Sequence, residues 1–81
     1  MSRDLRSPRY ARLREVLVEA RKEAGLTQAA VAERLGRPQS YVADIERNER
    51  RIDVIEYLAL AETIGFDPFD GLREVVAVKA S

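Results

Sequence analysis

The sequence contains no cysteine, no histidine and no tryptophan. Without cysteine there is no disulfide and no thiolate nucleophile. Without histidine the commonest general base is missing, and without both so are the usual zinc-ligand sets. A catalytic centre is therefore not expected, nor is a metal or any other cofactor. Asp67 and Asp70, three residues apart before an apolar stretch, read as helix-start residues rather than a catalytic pair. Long apolar runs are also missing, so no segment reads as a membrane span. The opening stretch MSRDLRSPRYARLRE lacks the apolar centre of a signal peptide, and a cytoplasmic protein is expected. Nor is there an excess of one charge: 14 Lys plus Arg offset 14 Asp plus Glu.

What is present is 81 residues, 46% hydrophobic and 35% charged, which is the balance of a folded helical domain rather than a disordered chain. At this length there is room for one core, near the lower size limit for folding without help, and no effector domain is expected beside it. The zero net charge conceals a gradient. Residues 1–37 carry nine basic and five acidic side chains, residues 38–52 three of each, and residues 53–81 two and six. The halves are thus +4 and −4, and twelve of the fourteen cations are arginine, the side chain whose planar fork matches phosphate and guanine.

Punctuation divides the chain into five predicted helices. Ser7-Pro8 starts the first, where Tyr10, Leu13, Val16, Leu17, Ala20 and Ala24 recur at helical spacing and Gly25 ends the run. Thr27 caps a second, from Gln28 to Leu35, with Val31 and Leu35 inward. After Gly36-Arg37-Pro38 a third runs from Gln39 to Arg47, burying Val42 and Ile45, with Asn48 at its end. Asp53 and Glu56 make a capping box for the fourth, with Ile52 and Tyr57 as a hydrophobic staple and Leu58, Ala61 and Ile64 toward the core. Asp67-Pro68 opens a fifth, through roughly Val75. The segment Val75-Val76-Ala77-Val78 either extends that helix or forms a strand. The expected organisation is an arm over residues 1–6, a folded domain over 7–76 and a tail over 77–81. Arg3, Arg6 and Arg9 belong either to a frayed tail or to a basic arm able to touch a phosphate backbone.

Two short helices joined by a tight glycine-containing turn form a helix-turn-helix unit, whose second helix can enter a DNA major groove. With Val42 and Ile45 inward, Gln39, Ser40, Ala43, Asp44 and Arg47 lie on the outer side. The first of these sit at the helix N-terminus, where backbone N–H groups favour phosphate. Arg37, Arg47, Arg50 and Arg51 flank the same helix as candidate phosphate contacts.

The pattern L-x₁₂-L-T-Q, V-A-x-x-L-G-R-P-Q-S-x-V-x-x-I-E-R-N-x-R-R and L-x-L-A-x-x-I-G, between Leu13 and Leu72, resembles the lambdoid phage repressor and Cro helix-turn-helix family, also called XRE-like. The resemblance implies an all-α, five-helix lambda-repressor-like domain that binds near-palindromic operator DNA as a two-fold dimer. It implies that Gln28 contacts a phosphate and braces Gln39, and that Gln39 and Ser40 meet base edges. A glutamine amide pairs in bidentate fashion with adenine. It further implies that Tyr41 meets DNA backbone or a thymine methyl, and that Arg21 and Glu46 form a structural ion pair. Two positions depart from the family pattern. Asp44 stands where a cation or amide is common, and either accepts from cytosine N4 or pairs with Arg47 at i+3. Glu49 lies in a loop that is often basic. Both acids weaken phosphate attraction, so binding is expected to depend on a specific site, with little non-specific affinity.

Phe66, Phe69, Leu72, Val75, Val76 and Val78 are too many apolar side chains for a short terminal segment to bury on itself. Some are expected to close the core and others to form an isologous dimer contact, assigned to Phe66, Phe69, Val75, Val76 and Val78. The leading expectation is a transcriptional regulator, a repressor acting by occlusion. The alternative is a protein-interaction module on the same fold, such as the antitoxin of a toxin–antitoxin pair.

Overall fold

Ser7 accepts a hydrogen bond from the Tyr10 N–H at 3.2 Å and Pro8 takes the first helical position, which sets the start of α1, Pro8–Glu23. The computed structural model describes residues 7–79, so the expected arm over residues 1–6 and the end of the expected tail lie outside the described residues. Thr27 caps α2, Gln28–Leu35, by accepting from the Ala30 N–H at 3.0 Å. Gly36 then adopts φ 69°, a left-handed conformation open to glycine at little cost. Its turn is closed by Arg37 N–H donating to the Ala32 carbonyl at 2.9 Å, and Pro38 leads into α3, Gln39–Glu46. Asn48, at φ 61°, reverses the chain after α3.

Asp53 and Glu56 complete a reciprocal capping box: the Glu56 N–H donates to Asp53 at 2.7 Å and the Asp53 N–H to Glu56 at 3.0 Å. They open α4, Val54–Ile64. Asp67 accepts from the Phe69 N–H at 2.8 Å and opens α5, Pro68–Val76, while Asp70 pairs with Arg73. The two readings of residues 75–78 resolve in favour of helix, with α5 reaching Val76. Arg9 lies within α1 and accounts for this ending. It donates to the carbonyls of Val78 at 2.9 Å and Val76 at 3.3 Å, a cation set against a helix C-terminus. Arg12 adds a second tie between α1 and α5 through Glu74.

The five helices enclose one core of Leu17, Val31, Ala32, Tyr41, Val42, Ile45, Tyr57 and Leu60. On α4 the buried face is Tyr57, Leu60 and Ala61, with Ile64 partly buried behind it. Leu58, expected in the core, is instead exposed beside Val54 on the flank toward α5. Phe66, expected at a dimer contact, packs on the core and meets Tyr57 edge-on at 6.1 Å between centroids. Val75 and Val78 are half-buried. Phe69 and Val76, each 67% exposed, remain outside, joined by Leu72. No helix among the described residues is long and apolar enough to cross a membrane, and no group of three or more acidic, histidine or cysteine side chains among them is placed to hold a metal.

Candidate nucleic-acid interface

Helix α3 is positioned from beneath by charge and from its flanks by apolar contact. Val42 and Ile45 are buried, while Glu46 turns toward α1. Arg21 grips the Glu46 carboxylate with both prongs of its fork: Nε donates to Oε2 at 2.6 Å and an Nη to Oε1 at 2.9 Å. The two side chains are only 12% and 10% exposed. Arg21 also donates to the Leu26 carbonyl at 2.8 Å, and Arg14 donates to the Glu46 carbonyl at 3.2 Å. Gln28, the first residue of α2, gives its amide N–H to Glu46 Oε1 at 2.9 Å. The partner that Gln28 braces is therefore Glu46, where the resemblance implied Gln39. One carboxylate thus ties α1, α2 and α3 together, so the orientation of α3 is set by a network satisfied on every side.

On the opposite side Gln39 and Ser40 are exposed in the first turn of α3. Pro38, the N-cap, provides no side-chain hydrogen bond, so the first N–H groups of α3 lack the usual internal acceptor and carry the positive end of the dipole. Next to them the structure departs from expectation. Tyr41, expected to face DNA backbone, is buried, and its hydroxyl donates to Glu56 at 2.8 Å. The guanidinium carbons of Arg37 and Arg50 lie 4.8 and 4.7 Å from the centroid of its ring, within cation–π range. Burial, and then the bond to Glu56, raise the Tyr41 hydroxyl pKa above its ordinary value. The ring therefore serves as the platform that both arginines rest on.

Glu56 was not singled out as a site residue by the sequence, although its capping-box spacing places its carboxylate at the mouth of the loop after α3. The Asp53 N–H, the Tyr41 hydroxyl and Arg50, at 3.1 Å, all donate to it, and together they hold its carboxyl below the ordinary glutamate value. Asp44, half-exposed, pairs with Arg47, and Arg47 Nε lies 3.3 Å from Glu49. Arg37 and Arg51 are exposed. Gln39 and Ser40 thus stand in the first turn of α3 with Arg37 just before them and Arg50 beside Arg37 over Tyr41, while Arg47 caps the other end of the helix and takes Asp44 as its partner.

A helix-turn-helix family model matches residues 17–70, which span all of α2, α3 and α4. Comparison with curated proteins gives no match. Among solved structures, the chain is similar to an XRE-family like protein from Pseudomonas syringae pv. tomato str. DC3000. The two share 49% identity and a TM-score of 0.81 over 85% of this chain and 84% of that one. It is also similar to the restriction-modification controller protein C.AhdI from Aeromonas hydrophila, at 31% identity and a TM-score of 0.67 over 80% of this chain and 92% of that one. The restriction-modification controller C.Esp1396I, solved as a tetramer on its natural 35 base-pair operator, shares the fold at 20% identity. Its TM-score is 0.74 over 94% of this chain and 93% of that one. With its own helix-turn-helix at α2 and α3 and relatives of this kind, the chain belongs to the XRE-like helix-turn-helix family of DNA-binding regulators.

Proposed function

We propose that the protein is a sequence-specific transcriptional regulator, a binding protein rather than an enzyme, that reads the major groove of a near-palindromic operator with α3 as a homodimer. The observation that carries this reading is the exposed Gln39–Ser40 turn on a helix whose opposite side is locked to α1 and α2 through Glu46. Gln39 takes the base-reading role by pairing with an adenine edge, and Ser40 supports it. The N–H groups of the α3 first turn, together with Arg37, Arg47, Arg50 and Arg51, take the flanking phosphates. Repression by occupying a promoter is the simplest action open to such a domain, and the similar C.AhdI is itself a controller protein. The second copy docks on the apolar face formed by Val54 and Leu58 of α4 with Phe69, Leu72 and Val76 of α5. In such a dimer the two α3 helices would meet half-sites about one helical turn apart on the duplex.

In vitro selection of binding sites tests the reading directly. A bipartite, inverted-repeat motif is the expected result, and binding without sequence preference at low salt refutes it. Gln39→Ala should relax preference at one base pair per half-site and cost roughly 1–3 kcal/mol on the selected sequence. A uniform loss across all sequences would show that Gln39 contacts backbone instead.

A further inference from the structure

Two of the arginines that flank α3, Arg47 and Arg50, are already engaged with carboxylates of their own chain. Arg47 is held by Asp44, from α3 itself, and by Glu49 of the following loop. Arg50 is held by Glu56, from the first turn of α4. Three separate segments therefore direct acids at two cations. A carboxylate presents to a guanidinium fork the same paired-oxygen geometry as a phosphate. Arg47 and Arg50 are both exposed, so a phosphate can reach either guanidinium. The Arg47 pairs are exposed on both sides, whereas Glu56 is only 20% exposed and stays fixed by Tyr41 and Asp53 when Arg50 leaves it. The pair between Arg21 and Glu46, enclosed and doubly bonded, is of the opposite kind.

We propose that Asp44, Glu49 and Glu56 act as internal stand-ins for DNA phosphates, occupying Arg47 and Arg50 until docking on a specific site exchanges them for the backbone. This rests on the reading of α3 as the DNA-reading helix. Sequence-independent binding is driven by cations that neutralise phosphates and release counterions. An arginine already neutralised by a neighbouring acid contributes little to it, because a loosely docked phosphate gains no more than the carboxylate gives up. On a matching site, base contacts from the α3 first turn fix the register and hold backbone phosphates against the flanks of the helix, and there the exchange goes forward. The acids thus keep the protein off random DNA while leaving its arginines available at the operator.

The test measures binding to a selected site and to a scrambled duplex across a range of salt, for the natural chain and for three variants. These are Asp44→Asn with Glu49→Gln, the same pair with Arg47→Ala, and Glu56→Gln. The Glu56→Gln variant keeps an amide oxygen to accept from the Asp53 N–H, and the Asp44 and Glu49 changes alter side chains only, leaving in place the backbone bond from the Glu49 N–H to the Asp44 carbonyl that closes α3. On scrambled DNA the acid-neutralised variants should bind more tightly, with a log–log salt slope steeper by about 0.9 for each released arginine. On the selected site the slope should stay unchanged, because the arginines are already on phosphates. Adding Arg47→Ala should abolish the gain from the Asp44 and Glu49 changes. An unchanged slope on scrambled DNA overturns the proposal. So does a gain that survives Arg47→Ala, since that is distant repulsion between acid and phosphate. If no sequence can be selected at all, the DNA-reading assignment falls and this proposal with it, whereas a selected site with unchanged slopes removes the exchange alone.

Discussion

Glu46 shows how a single side chain positions the second helix of a helix-turn-helix. Its carboxylate accepts from both prongs of Arg21 and from Gln28, while its carbonyl accepts from Arg14. Truncating it leaves the Arg21 cation nearly enclosed without a counter-charge, so Glu46→Ala should cost about 3 kcal/mol. That corresponds to a melting temperature lower by roughly 12 °C or more for a domain of this size, read by thermal denaturation. A loss of only a few tenths of a kcal/mol would mean that the network orients α3 without stabilising it. The expectation of an Arg21–Glu46 pair came through the family resemblance, because two residues 25 apart carry no local signal of contact. Gln39 and Ser40 were legible directly, since polar residues just after a proline-led helix start lie outward. Tyr41 was not. It adjoins Val42 at the edge of the buried face, and its placement depends on Glu56 arriving from α4.

The helix boundaries were largely legible because each rests on local chemistry: Ser7, Thr27, Asp53 and Asp67 all accept from N–H groups of the turn they precede. The faces of α4 were less so. The sequence VIEYLALAETI is apolar around most of its circumference, so periodicity alone cannot separate Leu60, which is buried, from Leu58, which is not. Within α5, Gly71 is where the backbone passes closest to its neighbours. A β-carbon there would collide with the Tyr57 hydroxyl, which donates to the Pro68 carbonyl at 2.7 Å, and would press on Phe66 and Val16. Gly71→Ala adds about 1 kcal/mol of helix propensity and yet should destabilise by roughly 1–3 kcal/mol, since a buried tyrosine must shift. Denaturant titration checks this, and a stabilised variant would show that α5 moves freely against α1.

Considered as a molecule, the domain leaves an apolar face uncovered among the described residues, built from Val54 and Leu58 of α4 and Phe69, Leu72 and Val76 of α5. If a second copy covers it, the natural chain should sediment as a dimer at tens of micromolar. Phe69→Glu with Val76→Glu should give a folded monomer with weakened operator binding, because both positions are exposed and make no core contact. A monomeric natural chain at that concentration removes the dimer and the palindrome with it. The zero net charge is equally a property of the whole: it averages the +4 half that carries the helix-turn-helix against the −4 half that carries this face. Helix count, helix starts and the helix-turn-helix spacing all follow from short-range chemistry, so reading along the chain was enough to identify the fold and to place the helix-turn-helix within it. The burial of Tyr41, the return of Phe66 to the core, the exposure of Leu58 and the pairing of Arg50 with Glu56 depend on where separate helices come together. No local pattern encodes that, because the same residues would satisfy their helices equally well in either place.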